Sequence, residues 1–188
     1  MDKEALKRKV YITYKSRINT AERLKHMESF IQGLNIYYSL CLTAFSIYSV
    51  NNSTTKLSIV LTIASVLVTV SIVFLSTKRY GERSKELKNN YLELDRLYRK
   101  LSIVDTTEKL DDFSEQYTNL LNSSENHSEY DYYLAILQMK DEKETLNKKE
   151  IQTFYLIKIS RFILSVILLL IPFFLKYVAD VIGWIVNM

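Results

Sequence analysis

Two stretches of this 188-residue chain, Ser29 to Thr55 and Leu57 to Thr77, contain no charged side chain, and only Lys56 separates them. The second is 21 residues long, about 31 Å as an α-helix, which matches a hydrocarbon core of about 30 Å. Two such stretches joined by a short polar connector predict a membrane hairpin, with spans at 34–50 and 57–77. A third apolar run, Phe162 to Leu175, continues through Lys176 and Asp180 to Met188. The chain therefore works in, across or beside a bilayer.

Charge asymmetry predicts the orientation. Residues 1–33 hold eight Lys/Arg, Asn51 to Lys56 holds one, and Lys78 to Lys88 holds five. By the positive-inside rule the N-terminus and the central region are cytoplasmic, in a multi-pass protein of the inner (plasma) membrane. The first apolar run begins some thirty residues in with no small-residue cleavage pattern after it, so it reads as a retained anchor. With three Gly and one Pro in the whole chain, long helices are the default.

Helical periodicity fills the rest. Leu6, Val10, Tyr14, Arg17, Ala21, Leu24, Met27 and Ile31 recur at three- and four-residue steps, a single stripe carrying one Arg. Leu87, Tyr91, Leu94, Leu97, Tyr98, Leu101 and Val104 mark a second face, which predicts that span two runs on unbroken into the cytoplasm. Asp105 to Glu108 reads as a stop and a capped start. Leu110, Phe113, Tyr117, Leu120 and Leu121 then form a shorter helix. Ser128, with Asp131 three residues on, caps a last helix expected to run from Glu129 through Arg161 into the third span. The expected fold is all-α, an integral membrane protein with three long helices forming a cytoplasmic stalk continuous with a hairpin plus a third C-terminal membrane helix. Its divisions are 1–33 (cytoplasmic helix), 34–77 (hairpin), 78–161 (stalk) and 162–188 (third membrane helix).

Chemistry-bearing motifs are few. His26 and His127 lie about a hundred residues apart, Cys41 is the single cysteine, and there is no Gly-rich phosphate loop. No enzyme, metal site or cofactor is expected. The most specific pattern is in span two, where Ser58, Thr62, Ser65, Thr69 and Ser76 fall within about 60° of one another on a helical wheel. Span one repeats it with Ser39, Thr43 and Ser46, opposite Tyr37, Cys41 and Tyr48. Hydroxyl faces in lipid serve close helix packing through interhelical hydrogen bonds; they serve equally as the wall of an oligomeric pore. Both readings stand. Lys176 and Asp180 in the third run either snorkel to the outer interface as an ion pair or face a water-filled lumen, and Pro172 is expected to kink that helix or loosen its hydrogen-bond ladder.

Charge is sorted along the predicted stalk. Leu101 to Met139 carries eight Asp/Glu and only Lys109, whereas Lys78 to Lys100 carries eight basic residues against four acidic ones. Avoidance of anionic lipid explains this; an acidic docking tip at Asp111, Asp112 and Glu115 is the sharper reading.

With the basic Arg17 to Lys25 helix (Arg17, Glu22, Arg23), the hairpin, the long helix after it and the Glu125-Asn126-His127 and Asp131-Tyr132 pairs, the chain resembles the SLATT family of small bacterial membrane proteins. The resemblance implies a pore-forming or membrane-depolarising effector of antiphage, abortive-infection systems. It implies membrane lipid and a homo-oligomer as surroundings, and a separate sensor: a nucleotide synthase, a nucleotide-binding protein or a reverse transcriptase. Direct nucleic-acid binding is not expected. The alternative is a non-conducting scaffold or sensor that recruits a cytosolic partner. The third apolar run lies beyond the two-span core of that family.

Overall fold

The computed structural model describes residues 2–51, 55–103, 110–139 and 145–186, without the side chains of 51, 55–57, 175, 176 and 178–186. Among the described residues every regular element is an α-helix: α1 (Lys3–Asn51), α2 (Thr55–Ser76), α3 (Tyr80–Ile103), α4 (Leu110–Asn122), α5 (Glu129–Met139) and α6 (Lys148–Val186). Three helices, α1, α2 and α6, are long and apolar enough to cross a membrane. The chain divides into two units, Met1–Met27 with Tyr80–Lys158, and Glu28–Arg79 with Ile159–Met188.

The first unit has a water-type core. Leu6 and Val10 of α1 meet Leu94, Leu97 and Leu101 of α3 and Phe113 of α4, with Tyr14, Tyr98, Leu110, Tyr117 and Leu120 packed around them. Ala21 and Leu24 continue the seam against Leu87. Side chains four and three residues apart on α1 and α3 project from one face of each helix, so the two stripes read in the sequence are the ones that meet. The β-prone run Val10 to Tyr14 is helical, because its burial belongs to that longer period. The start of α6 joins this unit through Phe154, whose ring stacks on Tyr130 of α5 at 4.9 Å.

The second unit is built the other way. Val60 and Leu61 of α2 are buried against Leu42 and Phe45 of α1, while Ile59, Ile63, Val66, Leu67, Val70, Val73 and Phe74 stay exposed. An apolar surface of this extent is what a hydrocarbon solvent permits.

Two continuities expected from the sequence are broken. Between α2 and α3 the backbone tightens: Lys78 and Arg79 amides donate to carbonyls three residues back, Leu75 and Ser76, at 3.1 and 3.2 Å. Arg79 then takes φ 49°, the left-handed conformation that ends helices. No Gly marks this stop, so periodicity ran through it. The helix expected from Glu129 to Arg161 is likewise two elements, because Asn147 and Glu150 make a reciprocal cap that starts α6. The Glu150 amide donates to Asn147 Oδ1 at 3.0 Å and the Asn147 amide to Glu150 Oε2 at 2.7 Å. The expected capped start at Asp105 to Glu108, and Val104 of the α3 stripe, lie outside the described residues.

Candidate functional site

The residues singled out in the sequence fall into two groups, one in each unit. In the first unit α1 carries Arg17, Asn19, Thr20 and Arg23 toward the corner where α4 ends and α5 begins. Arg17 is 0% exposed. One of its terminal nitrogens donates to Asn90 Oδ1 of α3 and to the Leu120 carbonyl at 2.8 Å, and the other to the Leu121 carbonyl at 3.1 Å. Those carbonyls belong to the last turn of α4, where helical acceptors lack donors and the helix dipole is negative. A buried cation is therefore held here by a helix C-terminus and an amide. Burial pulls its pKa below the ordinary arginine value; the group still carries its proton. Its Nε has no partner among the described residues. Asn90 completes the cap by donating to the Leu120 carbonyl at 2.8 Å and to Ser123 Oγ at 2.9 Å.

One helical turn along α1 is the anionic counterpart. Asp131, also 0% exposed, accepts from Arg23 Nε at 3.0 Å, from the Arg23 terminal nitrogen at 2.8 Å, from Thr20 Oγ1 at 3.0 Å and from Ser128 Oγ at 2.7 Å. Asn19 donates to the Asp131 carbonyl at 3.2 Å. Burial pushes the Asp131 carboxyl up, but hydrogen bonds from Arg23 and Ser128, the Arg23 charge and the Thr20 hydroxyl outweigh it and hold the group below the usual carboxylate range. Ser128 is the α5 cap expected from the sequence, accepting weakly from the Asp131 amide at 3.4 Å. Beside it His127 stacks on Tyr132 at 5.9 Å. Burial, followed by the Arg17 charge, lowers its pKa against the pull of Asp131, so the ring is neutral at pH 7.

A third pair closes the corner. Arg83 of α3 donates twice to Glu125, at 3.0 and 2.7 Å, about a third exposed on each side. Of the eight motif residues read in the sequence, Arg17, Arg23, Glu125, His127, Asp131 and Tyr132 meet around this corner, while Glu22 and Asn126 are exposed. Asn19, Thr20, Arg83, Asn90 and Ser128 complete it. Asn90 was detectable: it is a polar residue on the α3 apolar stripe, three residues after Leu87 and four before Leu94. With Asp131 holding donors from Arg23, Thr20 and Ser128, the cluster is a clamp between helices.

In the second unit the hydroxyl faces point outward. Thr62, Ser65, Thr69 and Ser76 are exposed and donate to carbonyls of their own helix at 2.7 to 2.9 Å. Ser39, Thr43 and Ser46 do the same on α1, at 2.7 to 2.8 Å. The stripe on α2 lies about 100° around the helix from the seam formed by Val60, Leu61, Ala64 and Val68. Ser58 differs. Its hydroxyl meets Ser49, a buried residue the sequence pattern did not single out, at 2.8 Å across the hairpin. Elsewhere on α1, Tyr37 and Tyr38 donate to the Leu169 and Leu168 carbonyls of α6 at 3.0 and 2.6 Å. Lys176 and Asp180 lie on α6, and their side chains are outside those described.

Residues 1–178 match the SMODS and SLOG-associating 2TM effector domain family 5. The match runs well into α6, so most of the third apolar run lies within it and not beyond it as the resemblance implied. No curated protein and no solved structure matches the chain.

Proposed function

We propose, from the premise that this chain belongs to the SMODS and SLOG-associating 2TM effector domain (SLATT) family and is a membrane effector of antiphage conflict systems, that it acts by depolarising the membrane. Copies assemble in the inner membrane, N-terminus cytoplasmic, with their hydroxyl faces lining a conductive path. One observation carries the reading: among the described residues, Thr62, Ser65, Thr69, Ser39, Thr43 and Ser46 are exposed and bond to carbonyls of their own helices, although close packing is the ordinary use of such residues. Back-bonding to their own helices leaves each oxygen a lone pair for water or an ion.

The trigger enters through the first unit. α1 runs from Lys3 to Asn51, so the segment clamped at Arg17 and Arg23 and the segment carrying Ser39, Thr43 and Ser46 belong to one helix. A sensor carrying a SMODS or SLOG domain would act by repacking that clamp. Replacing Thr62, Ser65 and Thr69 by Leu should abolish depolarisation, followed with a voltage-sensitive dye, while the protein still inserts. Unchanged depolarisation in that variant removes the pore-wall assignment. Asp111, Asp112 and Glu115 are all exposed on α4, which favours a second reading, a scaffold that recruits a cytosolic partner. Charge reversal of the three should then destroy function in cells that never depolarise.

A further inference from the structure

Pro172 lies inside α6 and is buried. It has no amide N–H, so the Leu168 carbonyl, four residues earlier, loses its helical donor. In a hydrocarbon environment bulk water is absent, and a neighbouring helix is one of the means by which the freed carbonyl is served. Tyr38 does so, its hydroxyl donating to the Leu168 carbonyl at 2.6 Å, and Tyr37 donates to the next carbonyl, Leu169, at 3.0 Å. Tyr38 is thus the donor that makes a proline tolerable at this place, and Tyr37 adds a second interhelical bond at Leu169, whose helical donor, the Phe173 amide, is retained. Against them lies an apolar cavity of about 60 Å³, lined by Tyr38, Cys41, Ala64, Val68 and Pro172 among others. A helix weakened at a proline, two side chains that hold the weak point, and a void beside it occur together.

We propose that Tyr37 and Tyr38 are the gating residues of this effector, positioning α6 at Pro172 in the closed state and releasing it on opening. Both tyrosines share α1 with Ser39, Thr43 and Ser46, which face outward. A rotation of α1 that re-aims those hydroxyls carries the tyrosine oxygens off their acceptors. Releasing the latch and moving the hydroxyl face are therefore one event. The cavity lies against Pro172 itself, so a shift of α6 at the proline has room on that side. The effect on conduction rests on the pore reading; the latch itself does not.

The experiment uses the full chain in liposomes. Cys41 is its only cysteine and lines the cavity, so its rate of modification by N-ethylmaleimide reports how often the latch opens. Tyr38→Phe removes the oxygen that serves the Leu168 carbonyl and no packing volume. It should raise the labelling rate about tenfold, as the loss of one hydrogen bond shifts an opening equilibrium. Adding Pro172→Ala returns an N–H to the Leu168 carbonyl and should restore the slow rate. In the Pro172→Ala background Tyr38→Phe should change nothing. Equal labelling of the Phe variant and the parent, or an increase that Pro172→Ala does not reverse, overturns the latch. Voltage-dye traces on the same liposomes separate the two ideas: the labelling pattern without depolarisation in any variant keeps the latch and discards the pore.

Discussion

The two units of this chain solve the same problem, holding helices together, in opposite solvents. In the unit of residues 2–27 and 80–158, leucines meet in the interior and two full charges, Arg17 and Asp131, are buried with them. In the unit of residues 28–79 and 159–188, isoleucine, valine and phenylalanine face outward and the few inward polar contacts are hydroxyls: Ser49 with Ser58, Tyr37 and Tyr38 with α6 carbonyls. Water rewards hiding apolar area, at about 25 cal/mol per Å², so the first unit has energy to spare for buried polar groups that fix helix register. Lipid offers no such reward between helices, and contacts there reduce to close packing and hydrogen bonds. Stability in the first unit is decided by what is inside; the second unit keeps its unspent chemistry on its outer face.

The largest effect that would break this contrast is at Asp131. Asp131→Ala leaves the Arg23 guanidinium, only partly exposed, without its carboxylate and should destabilise the first unit by about 3–5 kcal/mol, read as an early transition in thermal unfolding followed by circular dichroism in detergent. Loss of under 1 kcal/mol would mean that the clamp is ornamental to folding.

Next comes a paired truncation. Leu94→Ala, in the first core, should cost about 3 kcal/mol. Ile63→Ala, exposed on α2, should cost almost nothing, because lipid contacts that side chain before and after helix association. Similar losses at both sites would show that α2 is covered by another copy at Ile63.

Acid sharpens the comparison, since the described groups with depressed pKa values in the first unit include His127 and Asp131. Both are lowered on folding, so the unfolded chain binds protons first and stability falls with falling pH. The His127 contribution is constant above the unfolded value of about 6.5 and shrinks as pH drops toward the lowered folded value. The Asp131 contribution is full above about 3.9 and is lost as pH falls through its folded value. Thermal midpoints measured from pH 7.5 downward should decline in two steps, and His127→Gln should remove the first.

The smallest effect is at Glu125. Its pair with Arg83 is about a third exposed on each side, so Glu125→Gln should cost under about 1 kcal/mol, and less in high salt. A cost comparable to that of Asp131→Ala would place the corner in a far drier environment than its exposure indicates.

Much of this was legible in order along the chain. The α1 and α3 stripes named the residues that form the first core, because burial in water imposes a period of 3.6. The Ser128 cap was legible because it closes within three residues. Less visible were the breaks at Arg79 and Asn147, one without glycine and the other made by a cap in a charged stretch. The partners of the motif residues were invisible: Asp131 and Arg23 are 108 positions apart, and nothing local says that they meet. The hydroxyl stripes were legible as patterns, but not the side they face.

By itself, then, the sequence determined that the chain inhabits a bilayer, that it is helical, and which face of α1 and of α3 is apolar in the first unit, since all three follow from the spacing of charge and hydrophobicity along a helix. Only the tertiary structure decided that Arg17 is held by the end of α4, that Asp131 closes on Arg23, that Thr62, Ser65 and Thr69 are exposed, and that Tyr38 serves the carbonyl freed by Pro172. Those outcomes depend on which helix ends and carbonyls come within about 3 Å of a side chain, a distance that no periodicity encodes.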